Sequence, residues 1–197
     1  MRVVSDLDGI TASFEVSHNR NGDEVSLSIP AIGLKSVTMN DHEYQTVSLP
    51  EGEHLFAAEL AEEGEPDIPV MTTMLAIPDQ AGIQLNVSYS GYDSVENVDL
   101  APVQPSPSDA APNDPIPFTL DQATYSRDAF YPGDLATADD PVIMRDVRGV
   151  QISINPVQYN PVRKELRVYR DLAISVSYGG EPVNPKTTRT PYLSEGF

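Results

Sequence analysis

Three sets of side chains in this sequence could do chemistry. Val3-Val4-Ser5-Asp6-Leu7-Asp8-Gly9-Ile10 sets an apolar run before two aspartates and a glycine. In that order one carboxylate can attack a phosphoryl group beside Mg²⁺ while the second moves the proton. Asp139 and Asp140, with Asp134 upstream, could offer carboxylate oxygens to calcium, an ion that accepts irregular ligand sets. Two arginines stand apart from the other bases, Arg127 in Tyr125-Ser126-Arg127-Asp128 before a Pro-Gly turn and Arg189 in Thr-Thr-Arg-Thr-Pro. Either could enter an acidic pocket on a partner.

Surroundings weaken the first two sets. The aspartate motif resembles the opening motif of haloacid-dehalogenase-type phosphatases, yet Ile10 stands where that family has threonine. No alternation of strand and helix follows, and a parallel sheet needs crossovers of a dozen residues or more. The motif reads as an exposed turn after a short strand. Asp134, Asp139 and Asp140 read first as solvated turn acids before Pro141, with calcium as the weaker reading; no other metal and no cofactor is expected. His18, His42 and His54 are scattered singly, with no partner one helical turn away and no cysteine to complete a zinc site. No Gly-x-Ser-x-Gly elbow and no glycine loop opening a helix is present.

Composition narrows the partners. Twelve basic against thirty acidic residues give a net charge of −18. Nucleic acid and anionic membrane surfaces repel such a chain, so neither is an expected partner. The absence of cysteine removes disulfides, thiolate metal sites and a thiol nucleophile. No apolar run approaches the roughly 20 residues of a membrane span. With 197 residues the chain is long enough to bury roughly 70% of its unfolded surface.

The elements that must position these groups are strands. Val25, Leu27 and Ile29 alternate with serines; Ile83, Leu85, Val87 and Tyr89 with Gln84, Asn86 and Ser88; Val150, Ile152 and Ile154 with Gln151 and Ser153; Leu172, Ile174, Val176 and Tyr178 with Ala173, Ser175 and Ser177. Each buries one face and wets the other, as antiparallel sheets do. Eighteen prolines and twelve glycines punctuate these runs. The pattern predicts an all-β, antiparallel, jelly-roll-like β-sandwich with at most one short helix, placed at 52–63. Residues 1–180 read as one sandwich, the proline-rich 101–117 as a surface connection within it, and 181–197 as an extended tail. Six of the twelve bases fall between Arg145 and Arg170, as solvated hairpin edges or as a contact patch.

Around 131–178 the chain carries, in order, Phe130-Tyr131-Pro132-Gly133, Met144-Arg145-Asp146-Val147-Arg148-Gly149, Asn155-Pro156-Val157-Gln158-Tyr159-Asn160-Pro161 and Leu166-Arg167-Val168-Tyr169. With this ordered set the stretch resembles the N-terminal propeptide of gingipain-like cysteine peptidases. Upstream, Gly64-Glu65-Pro66-Asp67-Ile68-Pro69-Val70, Ala76-Ile77-Pro78 and Val98-Asp99-Leu100-Ala101-Pro102 extend the likeness over 49–178. The resemblance implies a β-sandwich prodomain of a secreted or cell-surface bacterial zymogen. It would assist folding of a downstream catalytic domain, its partner, and block that domain until cleaved. The chain itself is then not an enzyme. If the peptidase prefers a basic residue, Arg127, flanked by Ser126 and Asp128, is the expected inhibitory contact, and Arg189 the expected processing position. A competing reading is a standalone adhesive or carbohydrate-binding sandwich that uses Tyr44, Tyr89, Tyr92, Tyr125, Tyr131, Tyr159 and Tyr169 for stacking.

Overall fold

The alternating runs become strands that surround one apolar core. The computed structural model describes residues 2–20, 22–51, 56–58, 61–107 and 116–186. Among them the order is β1 (Arg2–Val4), β2 (Ser13–Asn19), β3 (Gly22–Ser28), β4 (Ala31–Met39), β5 (His42–Ser48), β6 (Phe56–Ala58), β7 (Val70–Ala76), β8 (Ile83–Tyr89) and β9 (Asp93–Glu96). Then come α1 (Gln122–Tyr125), β10 (Ala136–Ala138), β11 (Val142–Met144), β12 (Val147–Ile154), β13 (Val157–Asn160), β14 (Glu165–Val168) and β15 (Asp171–Tyr178).

Four sheets form, ordered β2-β3-β15-β8, β10-β12-β7-β6 with β11 also on β12, β13-β14-β9, and β1-β4-β5. Their pairings are antiparallel except β1 with β4, where Arg2 faces Ala31 and Val4 faces Gly33. That parallel pair needs no helical crossover, because the hairpin β2–β3 fills the interval between its strands. The all-β, antiparallel sandwich expected from the alternation is the fold adopted.

The register explains the core. In β15 the inward Leu172, Ile174 and Val176 are buried and pair with Leu27, Val25 and Asp23 of β3 on one side and Tyr89, Val87 and Leu85 of β8 on the other. Val150, Ile152 and Ile154 of β12, Val157 and Tyr159 of β13, Leu166 and Val168 of β14, and Ile32 of β4 join the same apolar cluster, so all four sheets share it. At roughly 1.5–3 kcal/mol per buried aliphatic side chain, this cluster is the main force holding the sheets together.

Two features depart from the sequence reading, the segment 56–58 and the polar residues around β12 and β13. Phe56–Ala58, inside the expected helix, is instead strand β6, pairing antiparallel with Val70–Thr72 of β7. The open edge of β7 supplies hydrogen-bond partners that a two-turn helix would have to find alone. The helix that does form is α1, where the Asp121 carboxylate caps the Ala123 and Thr124 N–H groups. The connection 101–107 lies on the body: Ala101 N–H donates to the Gln45 carbonyl, Val103 N–H to the Glu65 carbonyl, and the Gln104 and Thr119 amides bond each other across the gap. Finally, β12 and β13 carry polar residues inside: Arg148, Ser153, Asn155, Gln158 and Asn160 are all buried.

Candidate functional site

The loop 126–134 is the feature that three of these buried polar residues, Asn155, Gln158 and Asn160, build. It leaves α1 with Arg127 N–H bonded to the Thr124 carbonyl at 3.2 Å, and Ala129 N–H then turns back to the Arg127 carbonyl at 2.9 Å. Asp128 is the anchor at the loop's base. Its carboxylate accepts from Asn160 Nδ2 at 2.8 Å and from Arg163 Nε at 2.8 Å. The Arg163 and Asn160 bonds hold that carboxyl below its usual range.

The far side of the loop is fixed by β13. Tyr131 and Tyr159 exchange backbone hydrogen bonds of 2.8 and 2.9 Å, and the Tyr131 hydroxyl donates to Glu65 Oε2 at 2.8 Å. Burial and the Glu65 carboxylate both push the Tyr131 phenol up. Gly133 has φ +101, a conformation that costs glycine nothing, and its N–H donates to Gln158 Oε1 at 2.8 Å. The Asp134 carbonyl accepts from Asn155 Nδ2 at 2.9 Å and from Gln158 Nε2 at 3.4 Å. From the α1 side, the Tyr125 hydroxyl reaches the Leu100 carbonyl at 2.8 Å.

Arg127 itself is exposed, and its guanidinium makes no hydrogen bond or ion pair among the described residues. Bases elsewhere are engaged: Arg163 pairs with Asp128, Lys164 with Asp99, Arg167 with Glu165 and Arg170 with Asp93. The band of bases expected near 145–170 is therefore mostly self-neutralised. A free cation on a base held at both sides can enter a carboxylate-lined pocket without rearranging its support. Ser126 lies beside it, exposed, with its hydroxyl 3.4 Å from the Ala123 carbonyl.

The remaining sequence candidates separate. Arg189 and His54 lie outside the described residues. Asp6 accepts the Asp8 N–H at 3.1 Å and Ile10 N–H closes onto the Leu7 carbonyl, so the paired aspartates are a turn leaving β1. Asp134, Asp139 and Asp140 are exposed, and no three His, Cys, Asp or Glu side chains among the described residues converge to hold a metal. His18 bonds Asp23 and His42 bonds Asp99. Most of the tyrosines serve the fold: Tyr44 and Tyr159 are buried, and Tyr125 and Tyr131 spend their hydroxyls internally. A shallow groove of about 440 Å³ on the outer face of β2-β3-β15-β8 is lined by serines with Glu15, Tyr89 and Asp171. In it Ser28 Oγ donates to Asp171 Oδ1 at 2.7 Å and Ser90 Oγ to Asp171 Oδ2 at 3.3 Å, with no histidine among the lining residues.

Important residues at two places escaped the sequence reading. Gln158 and Asn160 look like wet positions of a link, yet both are buried and position the loop. The available signal was their spacing of two on one strand between two prolines. Arg148 is the other: it is 1% exposed and donates to the carbonyls of Pro78, Ala81, Val183 and Asn184.

The described residues form an all-β domain whose outstanding surface feature is a braced loop. The chain belongs to the family described as Propeptide_C25, whose model matches residues 16–195. Among relatives from Porphyromonas gingivalis, it is 37% identical to gingipain R2 over 122 residues, 62% of this chain, and 30% identical to Lys-gingipain over 165 residues, 80% of this chain. Those alignments span 16% and 9% of the relatives' own lengths. Among solved structures it is similar to a chain in the complex of Porphyromonas gingivalis RgpB pro- and mature domains, with a TM-score of 0.78 and 28% identity over 89% of this chain and 90% of that one. A structure described for the zymogenic latency of gingipain K matches with a TM-score of 0.69 and 27% identity, over 88% and 96% of the two chains. Among the described residues no helix is long and apolar enough to cross a membrane.

Proposed function

We propose that this propeptide binds the catalytic domain of a gingipain-type cysteine peptidase, keeps it latent, and assists its folding until proteolysis removes it. The observation that carries the reading is the free guanidinium of Arg127 on a loop tied down through Asp128, Tyr131 and Gly133. The likeness to a prodomain solved together with its mature domain supports the same reading. A peptidase that cleaves after a basic residue carries a carboxylate in its specificity pocket. Arg127 fills that pocket as a substrate side chain would, while the bracing holds the loop in place. Ser126 and Asp128 flank the inserted residue, and cleavage after Arg189 releases the inhibitor. The protein acts outside the cytoplasm, secreted or at the cell surface of its bacterium.

Titration of the cognate catalytic domain with the purified chain tests the reading. Stoichiometric, nanomolar inhibition is expected; binding to glycans with none to the peptidase would move the assignment to an adhesive module. Refolding the catalytic domain with and without the chain measures the chaperone role separately. Intact-mass analysis of the processed zymogen reports whether the cut follows Arg189.

A further inference from the structure

Beside the Arg127 loop lies a second surface that inhibition by one inserted side chain leaves unused. The connection from β8 to β9 brings Tyr89 and Tyr92 to the surface, 51% and 45% exposed. Tyr169, between β14 and β15, meets Tyr89 edge-on at 4.8 Å and Tyr92 at 5.4 Å between ring centroids. The Arg167 guanidinium sits 4.5 Å from the Tyr92 ring centroid and 3.8 Å from that of Phe130. Glu165 holds Arg167 in place, accepting from its Nε at 2.8 Å and from Ser94 Oγ at 2.9 Å. Phe130 follows Arg127 by three residues, and an extended chain spans at most about 3.6 Å per residue. The Phe130 Cα therefore lies within about 11 Å of the Arg127 Cα, and the platform meets the Phe130 ring through Arg167.

Three properties distinguish this cluster from rings that only close the end of a core. Tyr89 and Tyr92 keep about half their surface in water, and their hydroxyls make no hydrogen bond among the described residues. Aromatic and arginine side chains are the types that dominate binding energy at protein interfaces, and cation–π stacking holds these in one arrangement. Little conformational freedom is left to lose on association. Area supplies the occupant: a stable interface takes about 800 Å² from each partner, several times what one inserted side chain can bury. The rest of a contact centred on Arg127 must come from surface continuous with it, and this platform is continuous with it through Phe130 and Arg167.

We infer that Tyr89, Tyr92, Tyr169 and Arg167 form a second docking surface for the peptidase domain, outside its active site, an inference that rests on the inhibitory reading above. The matching surface on the peptidase is a flat patch of aliphatic groups and backbone carbonyls. Such a patch takes ring faces and the two unspent phenolic hydroxyls together.

The test uses the cognate catalytic domain in two forms, free and with its active site covalently occupied by a substrate-like inhibitor. Binding of the wild-type chain, Arg127→Ala, and the double variant Tyr89→Ala/Tyr92→Ala is measured to each, with melting curves for all three. The wild-type chain is expected to bind the occupied form more weakly but measurably. Arg127→Ala is expected to match it there, and the tyrosine variant to bind at least tenfold more weakly. Equal binding of the tyrosine variant and the wild type to the occupied form would overturn the platform while leaving inhibition intact. No binding of the wild type to the free enzyme would overturn the inhibitory reading itself. Should Tyr89→Ala/Tyr92→Ala melt early, Tyr92→Lys, which leaves the Tyr89–Tyr169 contact in place, must give the same loss. Loss of glycan binding with unchanged peptidase binding would also overturn the proposal.

Discussion

Arg127 and Arg148 carry the same side chain to opposite ends. Arg127 stands on an outward loop, exposed, with the neighbouring Asp128 carboxylate engaged by Arg163 and Asn160. Arg148 lies inside β12 and spends its guanidinium on four backbone carbonyls, with no carboxylate paired to it among the described residues. Its acceptors come from two segments, 78–81 and 183–184. It therefore fastens the C-terminal stretch to the sandwich, helped by Asn184 Nδ2 on the Pro141 carbonyl and Lys186 Nζ on the Asp146 carbonyl. A guanidinium's role in this molecule is set by what surrounds it. Carbonyls converge on Arg148 and make it a fastener; beside Arg127 the Asp128 carboxylate is claimed by others, which leaves Arg127 available to a partner.

Breaking the fastener is the largest expected effect. Arg148→Met unpairs four carbonyls, and a loss of about 3–5 kcal/mol in urea denaturation is expected, with inhibition per folded molecule unchanged. Next, Gln158→Ala removes the acceptor of Gly133 N–H and a donor to the Asp134 and Asn155 carbonyls. A loss of about 1–3 kcal/mol is expected. Hydrogen exchange at Gly133 should accelerate while exchange in β15 keeps pace with global stability.

Titration gives two smaller effects. Burial pushes the Tyr159 phenol up to about 12, and its hydroxyl donates to the Val98 carbonyl at 3.1 Å. Because the folded state raises this pKa, stability is complete below the unfolded value near 10 and falls as pH rises from there through 12. Tyr159→Phe should flatten that alkaline decline and cost about 1 kcal/mol at neutral pH. Asp128 titrates in the other direction. Its carboxyl is lowered, so the Arg163 and Asn160 anchors are complete above the usual carboxylate range and are lost as pH falls through the lower folded value. Loop protection measured by hydrogen exchange should be flat through the usual carboxylate range and drop as pH falls below it. In Asp128→Asn that step should vanish.

Strands with clean alternation were legible. β3, β8 and β15 lie where Val25, Val87 and Ile174 put them, since each shows water a polar face. β12 and β13 were only half legible, because alternation assumes that polar residues are wet. Ser153, Gln158 and Asn160 are dry, and two of them are inside to hold a loop distant in sequence. Arg148 followed the same rule and misled for the same reason. The helix expected at 52–63 failed because propensity competes with the vacant edge of β7, a partner that sequence periodicity does not display. Arg127 was legible as an isolated base before a Pro-Gly turn, but its freedom was not. That depends on Asp128 being taken by Arg163, 35 residues away.

On the proposal above, Arg127 is the residue through which this propeptide restrains its peptidase. The inhibition constant of Arg127→Ala against the cognate catalytic domain, measured beside the wild-type chain at equal folded concentration, tests it most directly. Truncating a charge that pairs in a buried pocket costs about 2–5 kcal/mol, so the constant should rise tenfold or more while the melting temperature stays put. An unchanged constant would contradict the claim and send the search for the inhibitory contact elsewhere on the molecule.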